Sequence, residues 1–265
     1  MEVIKEFRWA LLVMMVLLLH GSWHSYGCWE TERIALLQLQ AHFNYSIQFD
    51  YYDYWGSYYY YSDDVKYSDD VKCCNWERVR CSAATGHVTQ LLLGEIRGWN
   101  SFEHWYLNAS LFLPFQRLKM IDLGFNNIAG CIKNEGFEKL STLENLEFLN
   151  LGFNNFNTNI LSSLSHLSSL KYLYLYGNEM KGRIDIQELN NLTNLRELYL
   201  MDNKIEGFKS LHDGEKLLNM SNLEFLDMRG NNFSNDILLS IKGLSSLKTL
   251  WIGYNLLKGP FNLTG

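Results

Sequence analysis

Six stretches of this chain carry one skeleton, L-x-x-L-x-L-x-x-N: LKMIDLGFN at Leu118–Asn126, LEFLNLGFN at Leu146–Asn154, LKYLYLYGN at Leu170–Asn178, LRELYLMDN at Leu195–Asn203, LEFLDMRGN at Leu223–Asn231 and LKTLWIGYN at Leu247–Asn255. Successive ladder asparagines stand 28, 24, 25, 28 and 24 residues apart. A degenerate copy without the asparagine, VTQLLL, precedes them at Val88–Leu93. Six copies in register make an internal repeat of supersecondary size, in which each unit buries its apolar side only against its neighbours.

The skeleton assigns a task to each position. In L-x-L the two apolar side chains fall on the same side of a short strand, because successive side chains alternate. Stacked in parallel, such strands build one continuous core. The asparagine follows where the chain must turn, and its amide can both donate to and accept from backbone groups. Leaving those buried groups unpaired would cost about 1–3 kcal/mol each. Asn126, Asn154, Asn178, Asn203, Asn231 and Asn255 are therefore the expected structural ladder. The N-x-Φ-x-G-x-Φ segment that follows, at Asn126–Ile132 and Asn178–Ile184, returns the chain with a glycine at a tight point. Apolar pairs such as Leu164 and Leu167, or Leu189 and Leu192, then line the far side. The periods and the pattern give an α/β repeat architecture, a right-handed, curved leucine-rich repeat solenoid with a parallel β-sheet on its concave face.

The N-terminal third is of another kind. Lys5 and Arg8 precede an apolar run of eleven residues, Trp9–Leu19, followed by small and polar residues up to Gly27. As a helix that run spans about 16 Å, against roughly 30 Å of bilayer hydrocarbon. Residues 1–27 therefore read as a signal peptide, and no later stretch is long and apolar enough to span a bilayer. Export to an oxidising compartment makes Cys28, Cys73, Cys74 and Cys81 a disulfide framework. Four cysteines allow three pairings, and the adjacent Cys73 and Cys74 rarely bridge each other because the geometry is strained. Zinc held by Cys73, Cys74, Cys81 and His87 is the competing arrangement, disfavoured by irregular spacing and by the compartment. Cys131 stands apart, as a buried thiol rather than a bridge to another chain.

Residues 28–87 form the expected N-terminal cap. Trp29–Phe43 reads as a helix with Thr31 at its N-cap and an inward stripe of Ile34, Leu37 and Ala41, with Leu36, Leu39 and Phe43 nearby. Residues 50–72 hold DYYDYWGSYYYY and a tandem YSDDVK; six Asp and two Lys there account for −4 of the chain's net charge of −6. With Val65 and Val71 its only aliphatic residues and no regular period, this stretch reads as a solvated loop. Outside it the charge is near balance and forms no basic stripe, which argues against nucleic acid as a partner. Residues 88–265 form the array, one degenerate repeat plus six, ending at Gly265 without a C-terminal cap.

Beyond spacing, particular residues carry a family likeness. CWETERIALL at Cys28–Leu37, CCNWERVRC at Cys73–Cys81, then Gly86-His87-Val88 leading into the first strand, GFEKLSTLENLEFLNLG at Gly136–Gly152 and ILSSLSHLSSLKYLYL at Ile160–Leu175 together resemble the N-terminal part of plant receptor-like proteins, extracellular leucine-rich repeat receptors that lack a kinase. The resemblance runs from Met1 to Gly265 apart from the Tyr/Asp-rich insert. It implies pairing of Cys28 with Cys73 and of Cys74 with Cys81. It further implies a place at the extracellular face of the plant plasma membrane, perception of pathogen-derived or developmental signals, and partnership with a receptor kinase. Besides that insert, which lies between Cys28 and Cys73 in the cap rather than the array, two features depart from the family. The G-x-I-P turn has no proline at its usual place (GCIK, GRID and GPFN stand there), which predicts a less regular convex side. The array also stops mid-repeat, so the expectation is a truncated ectodomain.

A binding surface follows from the concave positions. Read off the skeleton they are Met120, Asp122, Phe125; Phe148, Asn150, Phe153; Tyr172, Tyr174, Tyr176; Glu197, Tyr199, Met201; Phe225, Asp227, Arg229; and Thr249, Trp251, Tyr254. Ten of these eighteen are aromatic, an enrichment found at interfaces rather than on solvated faces. The candidate ligand contacts are Phe125, Phe148, Phe153, Tyr172, Tyr174, Tyr176, Tyr199, Phe225, Arg229, Trp251 and Tyr254, facing a protein or peptide ligand or a glycan; the alternative is that the rings only pack on one another across strands. N-x-S/T sequons at Asn44, Asn108, Asn191, Asn219, Asn232 and Asn262 predict a glycoprotein. No phosphate loop, H-E-x-x-H or G-x-S-x-G occurs, so the expectation is a binding module without cofactor, metal or catalytic residues. The other functions in view are a secreted inhibitor of microbial cell-wall hydrolases and a soluble decoy or receptor remnant.

Overall fold

The computed structural model describes residues 28–44, 72–97, 104–209 and 217–259. The expected signal segment, nearly all of the Tyr/Asp-rich loop, Pro260 and Asn262 lie outside the described residues. Twelve short strands run β1 Val79–Cys81, β2 Val88–Leu92, β3 Trp105–Leu107, β4 Met120–Asp122, β5 Ile128–Cys131, β6 Phe148–Asn150, β7 Tyr172–Tyr174, β8 Lys181–Asp185, β9 Glu197–Tyr199, β10 Lys204–Lys209, β11 Phe225–Asp227 and β12 Thr249–Trp251. Eight of them make one sheet in the order β1-β2-β4-β6-β7-β9-β11-β12. Only β1 runs antiparallel to its neighbour β2; every later pairing is parallel. The register joins like positions, as in Leu149↔Leu173 and Leu198↔Leu226, so the repeat skeleton is also the stacking rule.

In the first five repeats both apolar residues of L-x-L, and the leucine that opens the skeleton, go into the core, while Leu247, Leu250 and Ile252 of the last are half-buried against it. Leu146, Leu149 and Leu151, then Leu170, Leu173 and Leu175, then Leu195, Leu198 and Leu200 are all buried. Each such side chain stabilises the fold by about 1.5–3 kcal/mol relative to leaving it in water. Phe112, Phe137, Phe156 and Phe233 fill the wider space behind the sheet. Opposite the sheet the chain returns through short helices, α2 Ile160–Leu164, α3 Ile186–Asn190 and α4 Ile237–Ser240, and through single 3-10 turns. Helix α3 starts at Asp185, whose carboxylate accepts the Gln187 N–H at 3.0 Å. Among the described residues the convex side pairs strands only as β3 with β5 and β8 with β10, each with a register shift, in keeping with the expected irregularity there.

The ladder asparagines satisfy the turns from one repeat to the next. Asn178 Nδ2 donates to Leu151 O of the preceding repeat (2.9 Å) and to Leu175 O of its own (3.0 Å), while its Oδ1 accepts the Phe156 N–H (3.0 Å). The same pattern recurs at Asn154, Asn203, Asn231 and Asn255. Asn126 donates to Leu93 O at 2.7 Å and so ties in the degenerate first repeat.

The first helix, α1 Glu30–Phe43, occupies the expected stretch but turns differently from the expectation. Ala35, Leu36, Leu39 and Phe43 are buried, whereas Ile34 and Leu37 are 46% and 38% exposed. The N-cap is Trp29, not Thr31. The reason lies in Glu32, which is only 1% exposed. Its carboxylate accepts the Val88 N–H at 3.1 Å and stands 3.1 Å from His87 Nδ1, so the helix is rolled to carry that carboxylate to the edge of the sheet. The disulfides Cys28–Cys73 (Cα–Cα 5.7 Å) and Cys74–Cys81 (5.5 Å) fasten α1 and β1 together. With the four cysteines in bridges and His87 on Glu32, the zinc arrangement is overturned.

Replacing Asn178 with alanine should strand the Phe156 N–H inside the turn and leave the Leu151 and Leu175 carbonyls with only the Asn154 and Asn203 amides as side-chain donors. Equilibrium denaturation of Asn178→Ala is expected to show a loss of about 1–3 kcal/mol; unchanged stability would mean that the ladder does not hold the repeats together.

Candidate functional site

The concave sheet positions its outward side chains in columns, one per skeleton position, because parallel strands in register repeat each position at every strand. A continuous row of rings crosses five strands along it. Ring centroids are 4.9 Å apart for Phe148–Tyr174, 4.3 Å for Tyr174–Tyr199, 4.9 Å for Tyr199–Phe225 and 5.0 Å for Phe225–Trp251. Three of the four contacts are edge-to-face, with interplanar angles of 66°, 62° and 75°. Tyr172 sits beside this row, 6.3 Å from Phe148. A second line lies one column over, where Phe125 stacks on Phe153 at 4.3 Å and Phe153 meets Tyr176 at 5.3 Å. Tyr174 and Tyr176, 6.0 Å apart, join the two lines. Tyr254 is 90% exposed.

Glycines make the second line possible. A Cβ on Gly152 would fall 2.5 Å from the Tyr176 ring, and one on Gly177 would fall 2.6 Å from the Phe153 ring. These rings therefore come right up against the bare backbone of a neighbouring repeat. Toward the N-terminal end of the sheet the same shelf is polar: Asp122 Oδ1 accepts from Asn150 Nδ2 at 2.8 Å and from the Gly124 N–H at 3.0 Å. Burial raises the Asp122 carboxyl above the usual range, against the pull of those two bonds.

Arg229, one of the candidate contacts, is already engaged within the sheet. Asp227 holds its guanidinium through Nε (3.0 Å) and Nη2 (2.7 Å), and the guanidinium carbon lies 4.1 Å from the Trp251 ring centroid. Its charge is thus compensated within the sheet. Asp227 is fully buried beneath it, a member of the surface that the aromatic pattern did not mark as a contact. The glycine shelf likewise escaped sequence reasoning, although glycine at 124 and 152, just past the strand in consecutive repeats, was a usable signal.

Matches to known proteins agree with this geometry. The family described as Leucine Rich repeats (2 copies) matches residues 168–211, and Leucine Rich Repeat matches 145–167 and 222–244. Cuscuta receptor 1 of Solanum lycopersicum is 40% identical over 150 residues, 56% of this chain and 12% of that protein. Receptor-like protein 9b of Arabidopsis thaliana is 36% identical over 183 residues, 68% of this chain and 18% of its own length. The chain belongs to the plant leucine-rich repeat receptor-like proteins. It spans less than a fifth of the length of these two relatives. Among solved structures, the crystal structure of PEPR1–AtPEP1 superposes with a TM-score of 0.48 at 25% identity, over 71% of this chain and 28% of that one.

Of this receptor-like chain's sequons, Asn44, Asn191, Asn219 and Asn232 are exposed. Asn108 is half-buried, and its Oδ1 accepts the Ser110 N–H at 3.0 Å. Cys131 is half-buried with a free thiol, and burial first, then the Glu138 charge, pushes its pKa up to about 12. It lines a cavity of about 320 Å³ on the convex side together with Ile132, Phe156 and Ile160.

Burial raises the phenol pKa of Tyr174, Tyr176 and Tyr199; at Tyr199 the hydrogen bond to Glu197 adds to it. The folded state therefore holds these protons to higher pH than the unfolded chain does. The stability linked to them is complete below the ordinary tyrosine value of 10.0 and is lost as pH rises through the raised native values. A near-ultraviolet titration of the folded protein should show a late-ionising group of tyrosines that returns to the ordinary range on denaturation. Native tyrosines all titrating in the ordinary range would contradict this packing.

Proposed function

We propose that this chain is the extracellular recognition module of a plant cell-surface receptor and that its concave aromatic row binds a peptide or an extended segment of a protein. The observation that carries the reading is the unbroken run of rings from Phe148 to Trp251, across five strands, on a face whose fold is already secured from below by the leucines and the asparagine ladder. Cross-strand packing accounts for the ring contacts but not for their being outside the core. Trp251 is 44% exposed and Phe153 43%. Rings at such positions contribute to association as they are desolvated.

A peptide fits better than a sugar. Stacking on a pyranose needs a flat, open ring face, whereas these rings stand edge-to-face and the Trp251 face is taken by Arg229. Clefts between tilted rings suit aliphatic or aromatic side chains. Two disulfides support an oxidising, extracellular setting, and the relatives are named as receptors or receptor-like proteins. On this reading residues 28–87 cap the array formed by residues 88–265, the role is binding rather than catalysis, and a receptor kinase transmits the signal to the cell interior.

The test is a displayed random peptide library selected against the secreted, glycosylated chain. Peptides it enriches should bind Trp251→Ala at least about tenfold more weakly, the scale of an interface anchor, while a Gln187→Ala change on the convex side leaves binding intact. Peptides indifferent to Trp251 would place recognition elsewhere.

A further inference from the structure

Three carboxylates on and beside the concave sheet have a basic partner, and Asp122 is held instead by the Asn150 amide and the Gly124 N–H. Glu147 pairs with Lys171 at 2.8 Å, Glu224 with Lys248 at 2.6 Å and Asp227 with Arg229 at 2.7 Å. Glu197, in the middle of the aromatic row, is the contrast. It is half-buried, its Oε2 accepts the Tyr199 hydroxyl at 3.0 Å, and among the described residues no lysine, arginine or histidine forms an ion pair with it. In register it lies between Tyr172 of β7 and Phe225 of β11.

One strand on, the chain shows what such a setting takes. Asp227 lies in register between Tyr199 and Trp251. There a guanidinium, that of Arg229, bonds the carboxylate through two nitrogens and covers the indole ring at 4.1 Å. A planar cation satisfies both partners at once, since it pairs with the carboxylate in its plane and meets the ring with its face. At Glu197 the carboxylate and the rings are present and the guanidinium is not.

We infer that Glu197, with Tyr172, Tyr199 and Phe225, is a recognition point for the cationic side chain of a peptide ligand, arginine above all. This rests on the concave face being a peptide-binding surface and adds the ligand's charge to it. A ligand residue placed there would meet an anion already oriented by the Tyr199 hydroxyl, so less freedom is lost on pairing. Its neighbours in the ligand would lie over Tyr174 and Phe225.

The experiment uses the secreted full chain and two small probes of the same shape, acetyl-arginine amide and the uncharged acetyl-citrulline amide, followed by saturation-transfer NMR. The arginine probe should bind about tenfold more tightly than the citrulline probe, as a charge-assisted bond requires. Glu197→Gln keeps an acceptor for Tyr199 and removes the charge, so it should bring arginine down to the citrulline level; Tyr172→Leu, which keeps the carboxylate, should weaken arginine as well. Added salt should weaken arginine alone. Equal affinities of the two probes on the unsubstituted chain, or full arginine binding by a folded Glu197→Gln, would overturn the assignment. If library peptides still depended on Trp251 in that case, the peptide surface would stand without its cationic point; if they did not, both would fall.

Discussion

Everything on the concave face depends on the asparagine amide beneath it. A parallel sheet of three-residue strands has more turn than strand, and each turn leaves backbone groups inside the molecule with no strand partner. One side chain per repeat resolves this by donating to two repeats and accepting from a third group, the N–H on the returning segment, as Asn178 does with Leu151, Leu175 and Phe156. Because the leucines and asparagines fill the core and bond the turns, the residues between them point away from it. That orientation is what permits a row of rings, a glycine shelf and a compensated arginine to occupy the outer side of the same strands.

The division explains which parts of the molecule were legible in the sequence. Leucine and asparagine recur at fixed places, so strand positions, register and the buried side follow from spacing. The same spacing gave the concave columns, and the structure puts Phe148, Tyr174, Tyr199, Phe225 and Trp251 in contact in a row that crosses between two of them. The cap lacks such a rule. In α1 two apolar arcs overlap, Ile34/Leu37/Ala41 and Ala35/Leu36/Leu39/Phe43, and periodicity alone does not choose between them. Glu32 decides, and a carboxylate buried against a distant strand leaves no trace in local pattern. The partner of Arg229 was hidden for a related reason: Asp227, two residues away in the same strand, lies on the same side and takes up the charge that the sequence appeared to offer to a ligand.

The face is thus graded in chemistry along the array. Its N-terminal end sets the bonded pair Asp122 and Asn150 beside the Phe125–Phe153 stack. Its centre is aromatic and carries Glu197. Its C-terminal end presents Trp251 under Arg229 and the exposed Tyr254.

The central claim, that the rings serve recognition and the ladder serves the fold, is tested most directly by removing the rings together. The quadruple variant Phe148→Thr, Tyr174→Thr, Tyr199→Thr, Phe225→Thr keeps every leucine and ladder asparagine and puts strand-favouring residues in place of the rings. Its denaturation, followed by far-ultraviolet circular dichroism, should remain a single cooperative transition from a native-like spectrum, and it should no longer bind peptides selected on the unsubstituted chain. A chain that fails to fold would show the row to be part of the scaffold, and a folded chain that still binds would show that recognition does not use it.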